Sequence, residues 1–294
     1  MNLQNKKVNV SKIVAGTMNW GVWDKKLSIL EMESLMHVCI ENKIHSFDHA
    51  DIYGGYTTEA EFGKAFATSS IKRENIELIS KCGIQAIADN RKTKVKHYDY
   101  SKKHIIWSVE NSLKNLQTDY LDVLLLHRPS PLLQVDEVKD VIQQLMNEGK
   151  IKSFGLSNFT NSQTELVQTE LPVFYNQIQF SATHLEPMVD GSLDFMQKHE
   201  ITPMSWNPLG LVFREDSEKT RRLKRLLATL VKKYELGSDT ILLSWIMHHP
   251  SKVIPVAGTV NVQRIKQLQT AIELSLDLED WFAIWEASIG RKVD

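Results

Sequence analysis

The sequence predicts an α/β protein, a single-domain (β/α)8 TIM barrel spanning residues 1–294, with one extra helix between strands 7 and 8. Three observations carry this reading. Short apolar runs alternate with amphipathic stretches along the chain, which is the mark of βα units around a parallel sheet. Eight such runs can be counted, which favours a closed barrel over an open sheet. Asp48 stands at the end of one run and Lys81 and His127 just past the ends of two others, at the C-terminal ends where a parallel barrel keeps its active site.

The runs are residues 12–15, 44–48, 76–80, 121–126, 153–156, 173–179, 201–205 and 252–256. Between them, helix starts are marked by hydroxyls. Ser28 with Glu31, Thr58 with Glu61, and Thr160 with Gln163 have the spacing of capping boxes. Ser101 is placed to cap a helix whose buried face would be Ile105, Val109, Leu113 and Leu116. The segment 207–249 holds two helical patterns, 220–234 and 238–248, where a plain barrel needs one. The connection 82–100 is long and basic, with Arg91, Lys92, Lys94 and Lys96. Such a loop is either a lid over the substrate mouth or a solvated surface excursion.

The 294 residues suit one barrel of this type, which typically takes about 250. Hydrophobic content of 42% supplies a large core, and a net charge of -1 gives no reason to expect nucleic acid or a membrane surface as partner. The opening residues 1–7 lack the apolar stretch of a signal peptide, and no run approaches a membrane span of roughly 20 residues. A cytoplasmic protein is expected. Two cysteines, Cys39 and Cys82, are too few for a disulfide framework or a zinc site, and both are expected reduced. No composition break, short-period repeat or low-complexity tract divides the chain.

The chemistry is carried by Asp48, Tyr53, Lys81 and His127. A free tyrosine, with a pKa near 10, is a poor acid at neutral pH. An ammonium such as Lys81 would lower that value, and a carboxylate such as Asp48 would keep the ammonium charged and in place. His127 could then donate to an oxygen on which negative charge develops. The set suits reduction of a carbonyl and needs no metal, but it lacks an electron source. Each residue alone could be structural; four at strand ends are harder to explain so. A metal-dependent hydrolase drawing on His49, Asp51 and His127 is a rival, without the paired histidines such a site favours. Met18, Trp20 and Trp23 either line an apolar substrate cleft beside Tyr53, the favoured reading, or pack the barrel rim.

Several stretches carry a resemblance. They are Phe-Asp-His-Ala-Asp-Ile-Tyr-Gly at 47–54, the strand ending at Lys81, Ser-Val-Glu-Asn-Ser-Leu-Lys-Asn-Leu at 108–116, Leu-Leu-His-Arg-Pro at 125–129, and Phe-Gly-Leu-Ser-Asn-Phe at 154–159. From residue 16 to 264 the chain resembles the aldo-keto reductases, most closely bacterial oxidoreductases of that superfamily. The resemblance implies the (β/α)8 fold, NADP(H) bound across the C-terminal ends of the strands, and Asp48, Tyr53, Lys81 and His127 as a catalytic tetrad. The absence of a Gly-x-Gly-x-x-Gly loop fits a cofactor held without a Rossmann domain.

By the same resemblance, Gly16, Thr17, Met18 and Asp48 border the cofactor, and Ser157, Asn158 and Gln177 meet its carboxamide. Trp206 stands where the family usually stacks a tyrosine on the nicotinamide, and Asn207, Leu209, Gly210 and Leu211 form the pyrophosphate turn. Gly258, Thr259 and Arg264 match the positions that hold the adenosine 2′-phosphate, at the start of a helix whose free amides suit an anion. The implied substrate is a small carbonyl compound lying against Tyr53 and His127, with Met18, Trp20 and Trp23 beside it on the cleft reading, and the expected assembly is a monomer or small homo-oligomer. A regulatory sensor barrel that binds the nicotinamide with little turnover is the alternative.

Overall fold

The structure, a computed structural model, describes residues 6–294 and is a closed parallel barrel. Residues 1–5, part of the opening stretch read for a signal peptide, lie outside the described residues. The barrel strands, first to eighth, are Val14–Gly16, Ser46–Asp48, Glu77–Cys82, Leu121–Leu126, Ile151–Ser157, Tyr175–Gln179, Thr202–Trp206 and Ile254–Ala257. Each pairs in parallel with the next, and the first closes on the eighth through Val14 with Val256 and Ala15 with Ala257. All eight predicted runs are barrel strands, the fourth with the same bounds and the others shifted by one or two residues at their ends.

Period-two alternation along the strands separates two cores. In the fourth strand Leu124 and Leu126 face the helices, while Val123 and Leu125 point inward to join Val14, Ile79, Tyr175, Met204 and Val256. The barrel interior is therefore filled with side chains, as this fold requires. Val8 and Val10 pack against that inner cluster from below.

Ser28 and Thr160 form the expected reciprocal capping boxes, and Ser101 accepts from the His104 amide. Thr58 does not cap. The turn Tyr53–Tyr56 runs directly into the helix Thr58–Thr68, so the preceding Thr57 already has helical backbone and Thr58 is buried inside the helix. An N-cap needs extended backbone, which that continuity denies it.

The two helices between the seventh and eighth strands are Glu218–Tyr234 and Ser238–Met247, so the extra helix is present. A final helix, Leu278–Ile289, packs on the first of these and escaped the sequence reading. Its Trp281 stacks on Trp245 at 5.2 Å, and each indole N–H donates to the other residue's backbone carbonyl at 3.0 Å. Among the described residues no helix is long and apolar enough to cross a membrane.

The basic connection after the third strand is a β-hairpin, Ile84–Gln85 against His97–Tyr98. Its tip is held down where the Arg91 guanidinium lies between the rings of Tyr56, at 3.8 Å, and Trp107, at 4.6 Å. A cation between two aromatic faces is attracted to both, so the loop is fastened to the barrel wall.

Candidate active site

The parallel register brings the C-terminal ends of the second, third and fourth strands to one rim. There Asp48 closes the second strand, Lys81 is the penultimate residue of the third, and His127 follows the fourth. Tyr53 reaches the same place from the short turn after the second strand. That turn needs glycine: Gly54 has φ 62°, and a Cβ on it would meet the Thr58 hydroxyl at 2.4 Å.

Lys81 is 1% exposed and its ammonium is saturated. Nζ donates to Asp48 Oδ2 at 2.8 Å, to the His49 carbonyl at 2.7 Å and to the Tyr53 hydroxyl oxygen at 3.0 Å. The Tyr53 hydroxyl lies 3.5 Å from Asp48 Oδ2, and the His127 ring stands edge-on to the Tyr53 ring with centroids 6.2 Å apart. The four sequence-selected residues are thus in one cluster.

Electrostatics in the cluster is dominated by burial. Desolvation acts to lower the Lys81 value, but Asp48 and Tyr53 more than offset it and hold the ammonium above its ordinary range. For Tyr53 the expected lowering does not occur in the resting site. Burial raises the phenol and Asp48 adds to it, and together they outweigh Lys81, which acts the other way. Tyr53 therefore keeps its proton at neutral pH. Burial, then the charges of Lys81, Arg128 and Lys96, push His127 well below the usual histidine value, so its ring is neutral.

Beside the tetrad lies a polar shelf on the fifth, sixth and seventh strands. The Ser157 hydroxyl donates to the Gln177 carbonyl at 3.1 Å and accepts from Asn158 Nδ2 at 2.8 Å. Trp206 Nε1 donates to Asn158 Oδ1 at 2.8 Å, and Gln177 Nε2 to Asp48 Oδ1 at 2.8 Å. A hydroxyl and two amides beside an indole face offer the donors, acceptors and stacking surface that a nicotinamide carboxamide and ring require. The residues fit that group.

Not every sequence-selected residue belongs to the mouth. Trp20 is 1% exposed and packs against Phe47 and Phe62 in the core, so the substrate-cleft role falls away. The turn after the first strand folds it inward while leaving Met18 and Trp23 about half exposed, with Trp23 6.1 Å from the Tyr53 ring. Thr17 is fully buried, and its hydroxyl is spent on the Asp48 carbonyl at 2.8 Å and His49 Nδ1 at 2.9 Å, leaving no side chain for a cofactor. Gly16 leaves 3.1 Å between an added Cβ and Val256.

In the turn after the seventh strand, Asn207 and Gly210 both have left-handed backbone. The Gly210 amide donates to the Asn207 carbonyl and the Leu211 amide to the Thr183 hydroxyl, while Leu209 packs on the core. A side chain at 210 would collide with Thr183, 2.0 Å from its Cβ. Thr183 carried no sequence signal, since it acts on a turn 28 residues away.

Farther out, Asn261 rather than Thr259 caps the helix Val262–Glu273, and the Thr259 hydroxyl accepts from the Asn261 amide at 3.2 Å. Gly258 is exposed on the approach. Arg264 is exposed and lies 3.7 Å from Asp239, beside a cavity of about 250 Å³ lined also by Phe213, Ser238 and Gln267. A larger cavity of about 660 Å³ opens at the opposite end of the barrel, near Lys12, Thr202 and Ile254. Size alone would have put the site there; the buried ionisable cluster locates it at the other end.

The hydrolase rival fails on placement. His49 turns to Thr17 and packs on Phe62 at 4.4 Å, and Asp51 accepts from Ser108 at 2.8 Å, so neither converges on His127. Among the described residues no group of three or more His, Cys, Asp or Glu is arranged to hold a metal ion.

Comparison with known proteins is consistent along the whole chain. The chain is 41% identical over 289 residues to Uncharacterized oxidoreductase YcsN of Bacillus subtilis (strain 168), covering 96% of both. It is 34% identical over 292 residues to a 6-dehydroglucose reductase of Agrobacterium fabrum (strain C58 / ATCC 33970), covering 98% of this chain and 97% of that one. An aldo/keto reductase from Klebsiella pneumoniae, solved in complex with NADP and acetate, shares the fold with a TM-score of 0.76 at 22% identity, over 94% of this chain and 90% of that one. With the model of the Aldo/keto reductase family matching residues 12–289, the chain belongs to the aldo/keto reductase family.

Proposed function

We propose that this protein reduces an aldehyde or ketone to an alcohol with NADPH, and that Tyr53 is the proton donor. The observation that carries the reading is the buried ammonium of Lys81, 3.0 Å from the Tyr53 hydroxyl oxygen and saturated by Asp48 and His49. NADP in the Klebsiella pneumoniae reductase supports the choice of cofactor. When bound, NADPH supplies the hydride that the carbonyl carbon receives.

The chain's own residues do the rest. Ser157, Asn158, Gln177 and the face of Trp206 would hold the nicotinamide end, and Thr259 and Arg264 the adenosine phosphate. Tyr53 gives its proton to the carbonyl oxygen as negative charge builds there. Lys81 stabilises the phenolate left behind, and Asp48 fixes Lys81 in position. His127, neutral, can donate a ring N–H to the same oxygen and so orient the substrate. Met18 and Trp23 give the mouth an apolar side. A cytoplasmic setting is part of this reading, supported by two buried cysteines that are both free thiols.

The test is oxidation of NADPH by a panel of aldehydes and ketones, including a sugar aldehyde in view of the Agrobacterium fabrum relative's name. Tyr53→Phe should keep NADPH affinity and lose turnover by about a thousandfold. A variant turning over at near wild-type rate would remove Tyr53 from the mechanism. A wild type that binds NADPH and oxidises it with no carbonyl would favour the sensor.

A further inference from the structure

We infer that the substrate carries a carboxylate or another anionic group, received by Arg128 and Lys96 at the rim of the mouth; this rests on the reductase reading above. The charges that bear on the His127 ring are Lys81, Arg128 and Lys96, all of them cations. Lys81 is neutralised by Asp48. Neither Arg128 nor Lys96 forms an ion pair among the described residues.

Among the described residues some of the molecule's cations are paired and many exposed ones are not. Arg73 and Lys152 share Asp122, Lys139 meets Glu170, Arg221 meets Asp216, and Lys233 holds both Asp277 and Asp280. A half-buried guanidinium without a counter-charge has lost part of its hydration with no anion to offset the loss. Arg128 is such a group.

Its position is built. The Tyr100 hydroxyl donates to the Arg128 carbonyl at 2.5 Å and accepts from the Arg128 amide at 3.0 Å, clamping the backbone one residue after His127. From there the guanidinium reaches over the Trp206 ring, 5.7 Å from its centroid, toward the shelf described above. Lys96 stands exposed on the hairpin that the Arg91 clamp fastens to the wall, one residue before its second strand. His127 Nδ1 is buried and without a hydrogen-bond partner, and its ring stands beside Tyr53. A planar guanidinium fork beside the catalytic rim, with an exposed lysine on the neighbouring hairpin, is what a carboxylate several bonds from the reacting carbonyl would meet.

The experiment compares 4-carboxybenzaldehyde with methyl 4-formylbenzoate, which differ in charge but little in reach, using the full chain and NADPH. The wild type should show a higher kcat/KM for the acid by about tenfold, the worth of one charge-assisted hydrogen bond. Added salt should shrink that preference, because the rim is partly exposed. Arg128→Gln and Lys96→Gln should each reduce the acid-to-ester ratio severalfold, chiefly through KM for the acid. Lys96 is exposed, so its variant reports even if the other folds poorly. A wild type that prefers the ester, or variants that lower both substrates equally, would overturn the inference. Failure of both aldehydes to oxidise NADPH, while the sugar aldehyde or another neutral carbonyl does, would also overturn it; failure of every carbonyl brings down the reductase reading itself.

Discussion

Gln177 Nε2 donates to Asp48 Oδ1 at 2.8 Å, so the carboxylate that receives Lys81 on one oxygen is held on the other from the sixth barrel strand. Gln177 thereby joins the polar shelf to the tetrad. Gln177→Leu removes a hydrogen bond to a charged acceptor and leaves Asp48 free to turn. The expected result is a kcat lower by about tenfold, with a smaller change in NADPH affinity. Steady-state rates beside cofactor fluorescence titrations check this. An unchanged kcat with weakened NADPH binding would assign Gln177 to the cofactor alone.

The pH dependence of turnover should be flat through the range where a free histidine titrates. His127 is held well below the ordinary value by burial and by three nearby cations, so it is already neutral at about pH 6.5. Tyr53 is raised above its ordinary value near 10, so it remains protonated until strongly alkaline conditions. Reduction at saturating NADPH should therefore hold a plateau and fall only on the alkaline side. An inflection near pH 6.5 that vanishes in His127→Gln would contradict this.

Asp51 gives a stability prediction of defined sign. In the folded chain, burial and the neighbouring Glu59 raise it to about 8, against a Ser108 hydrogen bond and Arg91, which act the other way. Unfolded, it titrates near 4. Folding takes up a proton between these values. The stabilising contribution is thus fully present below about pH 4 and is lost as pH rises through about 8. Asp51→Asn keeps the neutral shape at every pH. Its melting temperature should match the wild type most nearly at about pH 4 and exceed it increasingly as pH rises to about 8. A difference that does not change with pH would mean that Asp51 is ionised in the fold.

Much of this was legible in the sequence because it is local. Strand alternation, the Ser28 and Thr160 caps, and Asp48 with Tyr53 five residues on all rest on short spacings. What was not legible depends on contacts between distant segments. Trp20 reads as a cleft-lining aromatic until the turn after the first strand folds it onto Phe47 and Phe62. The direction of the Tyr53 shift could not be read from the identity of its neighbours. It depends on how completely the mouth excludes water, and there burial outweighs the ammonium. The Tyr100 clamp on Arg128 and the Thr183 contact to Leu211 join residues 28 apart in each case, with no motif to mark them.

Gly83 tests how firmly the third-strand end supports the site. Its φ is 108°, and a Cβ there would lie 2.0 Å from a carbon of the Tyr100 ring. Tyr100 cannot retreat without releasing the Arg128 backbone that it holds by two hydrogen bonds. Gly83→Ala therefore combines backbone strain with overpacking, and should cost about 1–3 kcal/mol of stability. Because the displaced ring anchors the residue after His127, kcat should fall as well, by more than the loss of folded protein explains. Thermal denaturation and rate per folded molecule separate the two effects. Tyr100→Phe supplies the comparison: it keeps the ring and deletes the clamp, so it should lower kcat with little strain. If Gly83→Ala loses stability while both variants keep wild-type kcat per folded molecule, the Tyr100 clamp does not position His127.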